Sequence, residues 1–322
     1  MTSQIIFSVR SFMFYQFFKN EIREISPDAL DPSAFTAGYI RVEDLPELNR
    51  LLGFDESTVR ACQKTDTAFR SGVEVHSSYT YTQLRILNRD TEADDYIALY
   101  VRKNLILVVD IRDEDGSTKE KYLSAMNRYP PAKICCEKML AAFLDSLIAG
   151  DYSVLENFAD VLSEEEDALQ EKEPEKDYNI RLMKIKKLLS RRHTYYAQLL
   201  DITEAVSSND NEIFEESRLI YVDNVSKHIS RLREDTADLK NDVEHLQDAY
   251  SSMLDIRMNS TMKIFTVLTS IFFPLTIIVG WYGMNFQHMP EFAWKYGYVY
   301  VILLSVVTVL VFAVIGKRKK WF

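Results

Sequence analysis

A file of polar and small side chains runs through positions 248–280 at helical spacing. Asp248, Ser252, Asp255, Asn259, Met262, Thr266, Thr269, Phe273, Thr276 and Gly280 follow one another in alternating steps of four and three. At 100° per residue such steps stay on one narrow helix face. Carboxylate, amide and hydroxyl oxygens in a line suit the passage of a cation along a water-filled path, because polar residues inside apolar spans face a bundle interior or such a path. A plainer reading also fits the threonines, which can bond back to their own helix while small residues pack helices together. Enzyme chemistry has less support: no HExxH, GxSxG, GxGxxG or CxxC pattern occurs. His76, His193, His228, His245 and His288 are scattered without ligand spacing. Cys62, Cys135 and Cys136 form an odd set with no paired spacing, which disfavours a disulfide framework or a zinc site and fits a reducing compartment.

The elements that must carry this file are two apolar helices. Ile264–Trp281 and Tyr298–Ile315 each run 18 residues without a charge, about 27 Å of helix and close to the thickness of a hydrocarbon core. Trp281, Tyr282, Trp294, Tyr296, Tyr298 and Tyr300 surround the turn between them, as aromatic belts do at membrane surfaces. Charge supports the division. The 322 residues carry a net −10, but residues 258–322 hold six basic side chains and one acidic, so +5 sits there and −15 on residues 1–257. The basic tail Lys317, Arg318, Lys319 and Lys320 places that end in the cytosol and the turn outside. Both termini are therefore expected to be cytoplasmic, in a multi-pass protein of the cell membrane. Nucleic acid is not expected as a partner, since no local basic stripe is seen to offset the negative body. The N-terminus lacks a basic n-region and a small-residue cleavage site and does not read as a signal peptide. One polar face cannot enclose a path, so a pore requires a ring of identical subunits with the second span outside, toward lipid.

The remaining chain divides by pattern. Residues 1–116 read as an α/β domain with a mainly antiparallel sheet: Ile5–Val9, Tyr39–Val42, Val73–Leu87, Tyr96–Val101 and Leu105–Asp110 as strands, Asp44–Leu52 and Asp55–Gln63 as helices. Residues 117–209 read as helical, with an acidic hairpin tip at Ser163–Asp177 holding eight acidic and two basic side chains. Such a run is usually a solvated hairpin and could also concentrate cations. Residues 210–285 read as one long helix, about 110 Å if continuous, entering the first span at about 264–283. Within it Val222, Val225, Ile229, Leu232, Thr236, Leu239, Val243, Leu246, Tyr250 and Met253 form a coiled-coil seam. An external turn (286–297), a second span (298–315) and a basic tail (316–322) complete the layout.

At the outer end of the first span stands Tyr282-Gly283-Met284-Asn285, followed by Met289-Pro290-Glu291 in a short turn and then the second span. This block resembles the CorA family of divalent-cation channels. The resemblance is strong over about Met262–Phe322, agrees in layout from Ala132 onward, and is loose over residues 1–110. It implies a homopentameric funnel with an α/β cytosolic domain, long helices and two C-terminal transmembrane helices. It also implies Mg²⁺ as the usual substrate, with Co²⁺ and Ni²⁺ often accepted, and Mg²⁺ as a regulatory ligand with no other cofactor. Carried over by position, Asn285 forms the outer ring, Gly283 and Met284 support its turn, Thr276 and Asp248 match polar pore positions, and Met262 matches a hydrophobic constriction. Phe265 and Phe273 stand where aliphatic or Met side chains are common. Glu291 would attract cations from outside. Relatives hold regulatory Mg²⁺ between subunits through acidic side chains. Here Asn224 replaces a common Asp, leaving Asp223 beside it and Asp90, Glu92, Asp94 and Asp95 in the connection 88–95 as the expected sensor. Two alternatives remain open: a zinc transporter of the ZntB type, and a membrane-anchored coiled-coil scaffold without flux.

Overall fold

The computed structural model describes residues 12–19, 21–64, 72–88, 94–171, 177–284, 289 and 294–318. The chain forms two compact units, Met1–Glu244 and His245–Phe322.

The first unit is built on a seven-stranded sheet. Its strands are β1 (Phe12–Phe17), β2 (Ile22–Ile25), β3 (Thr36–Arg41), β4 (Val73–Val75), β5 (Thr80–Ile86), β6 (Asp95–Arg102) and β7 (Leu105–Arg112). They lie in the order β2-β1-β3-β7-β6-β5-β4. The β3–β7 pair is parallel, with Tyr39 opposite Val108, and the other pairs are antiparallel. Ile97–Val101 and Leu105–Val109 are buried without a break, as expected for central strands covered on both faces. One face is covered by α1 (Leu45–Leu52) and α2 (Glu56–Gln63), whose Leu45, Leu48, Leu52 and Val59 join Phe54 against Tyr100 and Leu107. Gly53, at φ 70°, ends α1, and the Asp55 side chain caps α2 by accepting from Ser57 N. On the other face lie α3 (Ser117–Met126) and α4 (Cys136–Leu147). There the Tyr122 hydroxyl donates to Ile106 O at 2.9 Å and its ring meets Phe143 edge-on at 5.2 Å.

Two strand expectations change. The run Val73–Leu87 is a hairpin rather than one strand: His76–Tyr79 closes a turn, with His76 N donating to Tyr79 O at 2.9 Å, and Val75 pairs with Thr80. Ser77 and Ser78 supply turn chemistry that an alternation count passes over. Phe12–Phe17 is a buried strand that near-continuous apolarity concealed. Ile5–Val9 lies outside the described residues.

Three long helices complete this unit: α5 (Asp151–Glu171), α6 (Tyr178–Ser208) and the beginning of α7 (Glu216–Tyr282). The helix expected from position 210 begins at Glu216, because Asn209 and Glu212 take positive φ values of 49° and 55°. The Asn209 side chain spans that turn, accepting from Phe214 N and donating to Phe214 O, both at 3.1 Å. The heptad seam is real as a pattern, and most of it packs within its own chain. Val222, Val225, Ile229, Leu232, Thr236, Val243 and Leu246 are buried within the chain. Thr203 Oγ1 of α6 meets Ser226 Oγ at 2.9 Å, and Lys186 pairs with Glu244 at 2.9 Å. Each buried aliphatic side chain of this seam contributes about 1.5–3 kcal/mol.

α6 also corrects the expectation that no basic stripe exists. Seven basic residues lie between Arg181 and His193. Four of them reach carboxylates on three other elements: Arg181 to Glu165 at 2.8 Å, Lys186 to Glu244, Arg191 to Asp94 at 2.8 Å, and Arg192 to Asp151 at 3.5 Å. These four hold α5, α7 and the sheet to α6.

The second unit contains the remainder of α7 and α8 (Gly297–Arg318). Both helices are long and apolar enough to cross a membrane, and their apolar windows are 0% and 6% buried. Such exposure is not that of helices in a protein core, where these side chains are hidden. Trp281 and Trp294 are exposed near the ends of the two helices.

Candidate functional site

Within the second unit, α7 carries the polar file as one exposed face. Asp248, Ser252, Asp255, Asn259, Met262, Thr266, Thr269, Phe273, Thr276 and Gly280 are all exposed. Each threonine donates its hydroxyl proton to the carbonyl four residues earlier: Thr266 to Met262, Thr269 to Phe265 and Thr276 to Phe272, each at 2.8 Å. With the proton spent on the helix, the hydroxyl oxygen has only lone pairs to offer outward. A row of acceptors favours cations and the protons of their hydration water. Ser270, Ser305 and Thr308 bond back in the same way, so back-bonding is a general habit of these helices. The alignment of Thr266, Thr269 and Thr276 on one face is what distinguishes the file.

Pro274 interrupts the ladder inside α7, since it has no N–H for the Ser270 carbonyl. Met262, Phe265, Thr269, Phe273 and Pro274 line a largely apolar groove of about 500 Å³, with Phe312 of α8 opposite. At the exit, Gly283 N donates to Val279 O at 2.9 Å. A Cβ built on Gly283 would stand 2.9 Å from that carbonyl oxygen, a backbone atom that cannot swing aside, so only glycine fits. Met284 N donates to Trp281 O at 3.4 Å in a loosening last turn. Lys317 and Arg318 are exposed in the last turn of α8. Asn285, Glu291, Lys319 and Lys320 lie outside the described residues.

The expected sensor residues are placed differently from one another. Asp90 and Glu92 lie outside the described residues. Asp94 is 6% exposed and already committed: it takes Arg85 Nε at 2.5 Å and Arg191 NH2 at 2.8 Å on each oxygen, and its backbone carbonyl accepts Arg112 NH2 at 3.1 Å. Asp223 Oδ1 accepts the Ser207 hydroxyl of α6 at 2.6 Å, while Asn224 is exposed.

Asp95, the remaining expected sensor residue, stands in a carboxylate cluster at the head of α3 whose other members, Asp113 and Asp115, the sequence reading missed. Oxygens of Asp95, Asp113 and Asp115 lie within 4.8 Å of one another. Asp95 is buried and accepts Thr118 Oγ1 at 2.7 Å and Ser117 Oγ at 3.1 Å, and Asp113 accepts the Tyr39 hydroxyl and Lys119 N, each at 3.0 Å. Burial pushes the Asp95 carboxyl above its ordinary range, reinforced by the charge of Asp113. Burial and Asp113 together push the nearby Asp110 up to about 6. Apart from the Tyr39 hydroxyl of β3, the donors come from the first turn of α3, so the cluster caps that helix. The signal was present in Asp113–Ser117, an acidic run ahead of a helix, but the approach of Asp95 depends on strand register.

A family profile described as CorA-like Mg²⁺ transporter protein matches residues 41–318. The chain belongs to the CorA family. The cobalt/magnesium transport protein CorA from Thermotoga maritima is 27% identical over 256 residues, covering 78% of this chain and 73% of that protein. Among solved structures, the complete CorA magnesium transporter from Methanocaldococcus jannaschii superposes with a TM-score of 0.74 at 19% identity, over 98% of this chain and 100% of that one. The cytoplasmic domain of ZntB from Vibrio parahaemolyticus superposes with a TM-score of 0.61 at 12% identity, over 76% of this chain and 99% of that one. The first likeness concerns the whole fold, an α/β soluble domain, a long helix and two C-terminal apolar helices; the second concerns the soluble domain alone. Membership in CorA, a family of membrane transporters, accounts for why both apolar helices remain uncovered by the chain itself.

Proposed function

We propose that this protein is a passive influx channel for Mg²⁺, accepting Co²⁺ and Ni²⁺, formed by five copies in the cell membrane with both termini cytoplasmic. The observation that carries this reading is the exposed polar face of α7, whose threonine hydroxyls turn acceptors outward. A single chain leaves that face open, and a ring of copies would close it around a path with α8 outside. Asn285 would form the outer ring, held by the obligatory glycine at 283, with Met284 beside it. Mg²⁺ releases its inner water reluctantly, so a ring of neutral amide oxygens binds the hydrated ion without stripping it. Met262 and Phe273 would provide apolar constrictions, and Glu291 would draw cations to the mouth. Lys317, Arg318, Lys319 and Lys320 would sit at the inner surface. Moving a divalent ion inward gains about 4.6 kcal/mol per 100 mV, sufficient drive without nucleotide hydrolysis.

Mg²⁺ would also act as a regulatory ligand in the cytosolic assembly, through Asp223 and Asp90. Asp94 is a poor ligand there because two arginines hold it. Five copies of a −15 body repel one another strongly, and bound divalent ions would relieve that repulsion. Limited proteolysis with and without Mg²⁺ tests this sensor: equal protection in wild type and Asp223→Ala would remove it.

Flux into proteoliposomes loaded with a Mg²⁺ indicator decides the main reading. Asn285→Ala should abolish most Mg²⁺ flux, and unchanged flux would refute the filter assignment. The likeness of the soluble fold to the ZntB domain gives Zn²⁺ a place in the same assay. Proton-coupled Zn²⁺ flux without Mg²⁺ flux would favour the ZntB-type reading. A coiled-coil scaffold has lost its main support, since the seam of α7 is buried in its own chain.

A further inference from the structure

A polar cavity of about 280 Å³ opens in the first unit, where five segments of chain converge. Its wall brings together Lys19 after β1, Lys103 in the β6–β7 turn and Arg218 in the first turn of α7. Three cations around one small cavity are unusual within residues 1–257, whose net charge is −15. The single acidic side chain in the wall, Glu137, is 4% exposed and directs Oε1 to Glu215 N at 3.1 Å. Arg218 is partly engaged, with Nε 2.9 Å from Glu215, and its side chain remains 47% exposed. Asn104 and Ser33 add polar groups to the rim. The wall also includes Cys135, Cys136 and Glu137 at the start of α4, a helix N-terminus whose dipole favours an anion.

We propose that this cavity binds a phosphate-bearing anion. A phosphoryl group offers three acceptor oxygens and up to two negative charges, which suits two lysine point charges and one guanidinium fork. The volume equals roughly nine waters at about 30 Å³ each, enough for a phosphate with a small organic substituent. A lone carboxylate would leave most of the cationic wall unpaired. Because Arg218 belongs to the beginning of α7 while Lys19 and Lys103 belong to sheet connections, the anion would pin the start of the long helix to the sheet. The proposal concerns the first unit alone and stands whether or not the chain conducts Mg²⁺.

Calorimetric titration of the full-length protein, in chelator-treated buffer at low salt, tests it with inorganic phosphate in one arm and adenosine monophosphate in the other. Saturable binding in either arm supports the site. Binding of phosphate alone identifies the phosphoryl group as sufficient, and binding of the nucleotide alone identifies an organic phosphate. The Lys103→Gln/Arg218→Gln double variant should bind at least tenfold more weakly, while Lys187→Gln, which removes one positive charge from the exposed surface of α6, should bind as wild type. Lys19→Gln alone should lose roughly threefold and serves if the double variant fails to fold. Absence of saturable binding in both arms, or an equal loss in Lys187→Gln, overturns the proposal.

Discussion

Removing the Asp94 carboxylate should weaken the soluble unit far more than removing either of its partners. Asp94 receives hydrogen bonds from Arg85 and Arg191 and is 6% exposed, so it stands at the centre of a charge cluster joining β5, the start of β6 and α6. Breaking a buried pair from one side costs about 3–5 kcal/mol, because a charge is stranded. Here the stranded groups are arginines whose side chains are 40% and 36% exposed, so water recovers part of that. About 2–3 kcal/mol remains for Asp94→Ala. Arg191→Gln should cost about 1 kcal/mol, since Arg85 still neutralises Asp94. For a unit of this size 2–3 kcal/mol corresponds to a fall in melting temperature of about 5–10 °C, readable by circular dichroism on the intact protein. The Asp94/Arg191 double-mutant cycle should return a coupling of at least 1 kcal/mol. If Asp94→Ala melts within 1 °C of wild type, the cluster does not tie α6 to the sheet and the reasoning fails.

Asp110 titrates at about 6 in the folded protein because burial and Asp113 oppose its ionisation. The folded state then holds a proton that the unfolded state releases, so stability from this group is greatest below about pH 4 and declines as pH rises toward 6. Asp110→Asn should therefore gain about 1 kcal/mol at pH 7, discounted for its partial exposure, and lose the gain at pH 4; denaturant melts at both values check it. Gly38→Ala places a Cβ 2.8 Å from Leu107 Cδ1 and 2.9 Å from Phe14 Cε1, and should cost about 1–3 kcal/mol in thermal melts. Ile229→Ala empties a fully buried seam position and should cost about 2–4 kcal/mol. On the face of α7 proposed to line the path, Thr269→Val keeps the shape and removes the acceptor, so Mg²⁺ flux should fall several-fold while Ser305→Ala on α8 leaves it unchanged. Equal flux in both variants would detach the threonines from permeation.

Local patterns carried much of this molecule into view. The uncharged runs 264–281 and 298–315 announced helices α7 and α8, and Ile97–Val101 and Leu105–Val109 announced buried strands, because burial on both faces leaves no polar position to confuse the count. Steric need at Gly283 was implicit in the Tyr-Gly-Met-Asn motif, although the clash with the Val279 carbonyl appears only in three dimensions. What periodicity left out depends on distant partners. A heptad seam on α7 is the same whether it meets another copy or the chain's own α6, and the structure chose the latter. The Asp94–Arg191 pair spans 97 residues, so neither the basic run of α6 nor the acidic connection before β6 disclosed that one neutralises the other. Equally, the distinction between Asp223, turned to Ser207, and exposed Asn224 is one step of helical phase.

The placement of tryptophan gives the protein a natural optical division. All three, Trp281, Trp294 and Trp321, belong to the unit His245–Phe322, and the other unit has none. The first unit instead buries tyrosines such as Tyr39, Tyr79 and Tyr100. Indole emission, quenched by brominated lipid or by aqueous iodide, therefore follows the unit His245–Phe322 alone, without any label. Tyrosine absorbance follows mainly the sheet unit. Two signals from an unmodified chain can thus time, separately, what each unit does when a cation arrives.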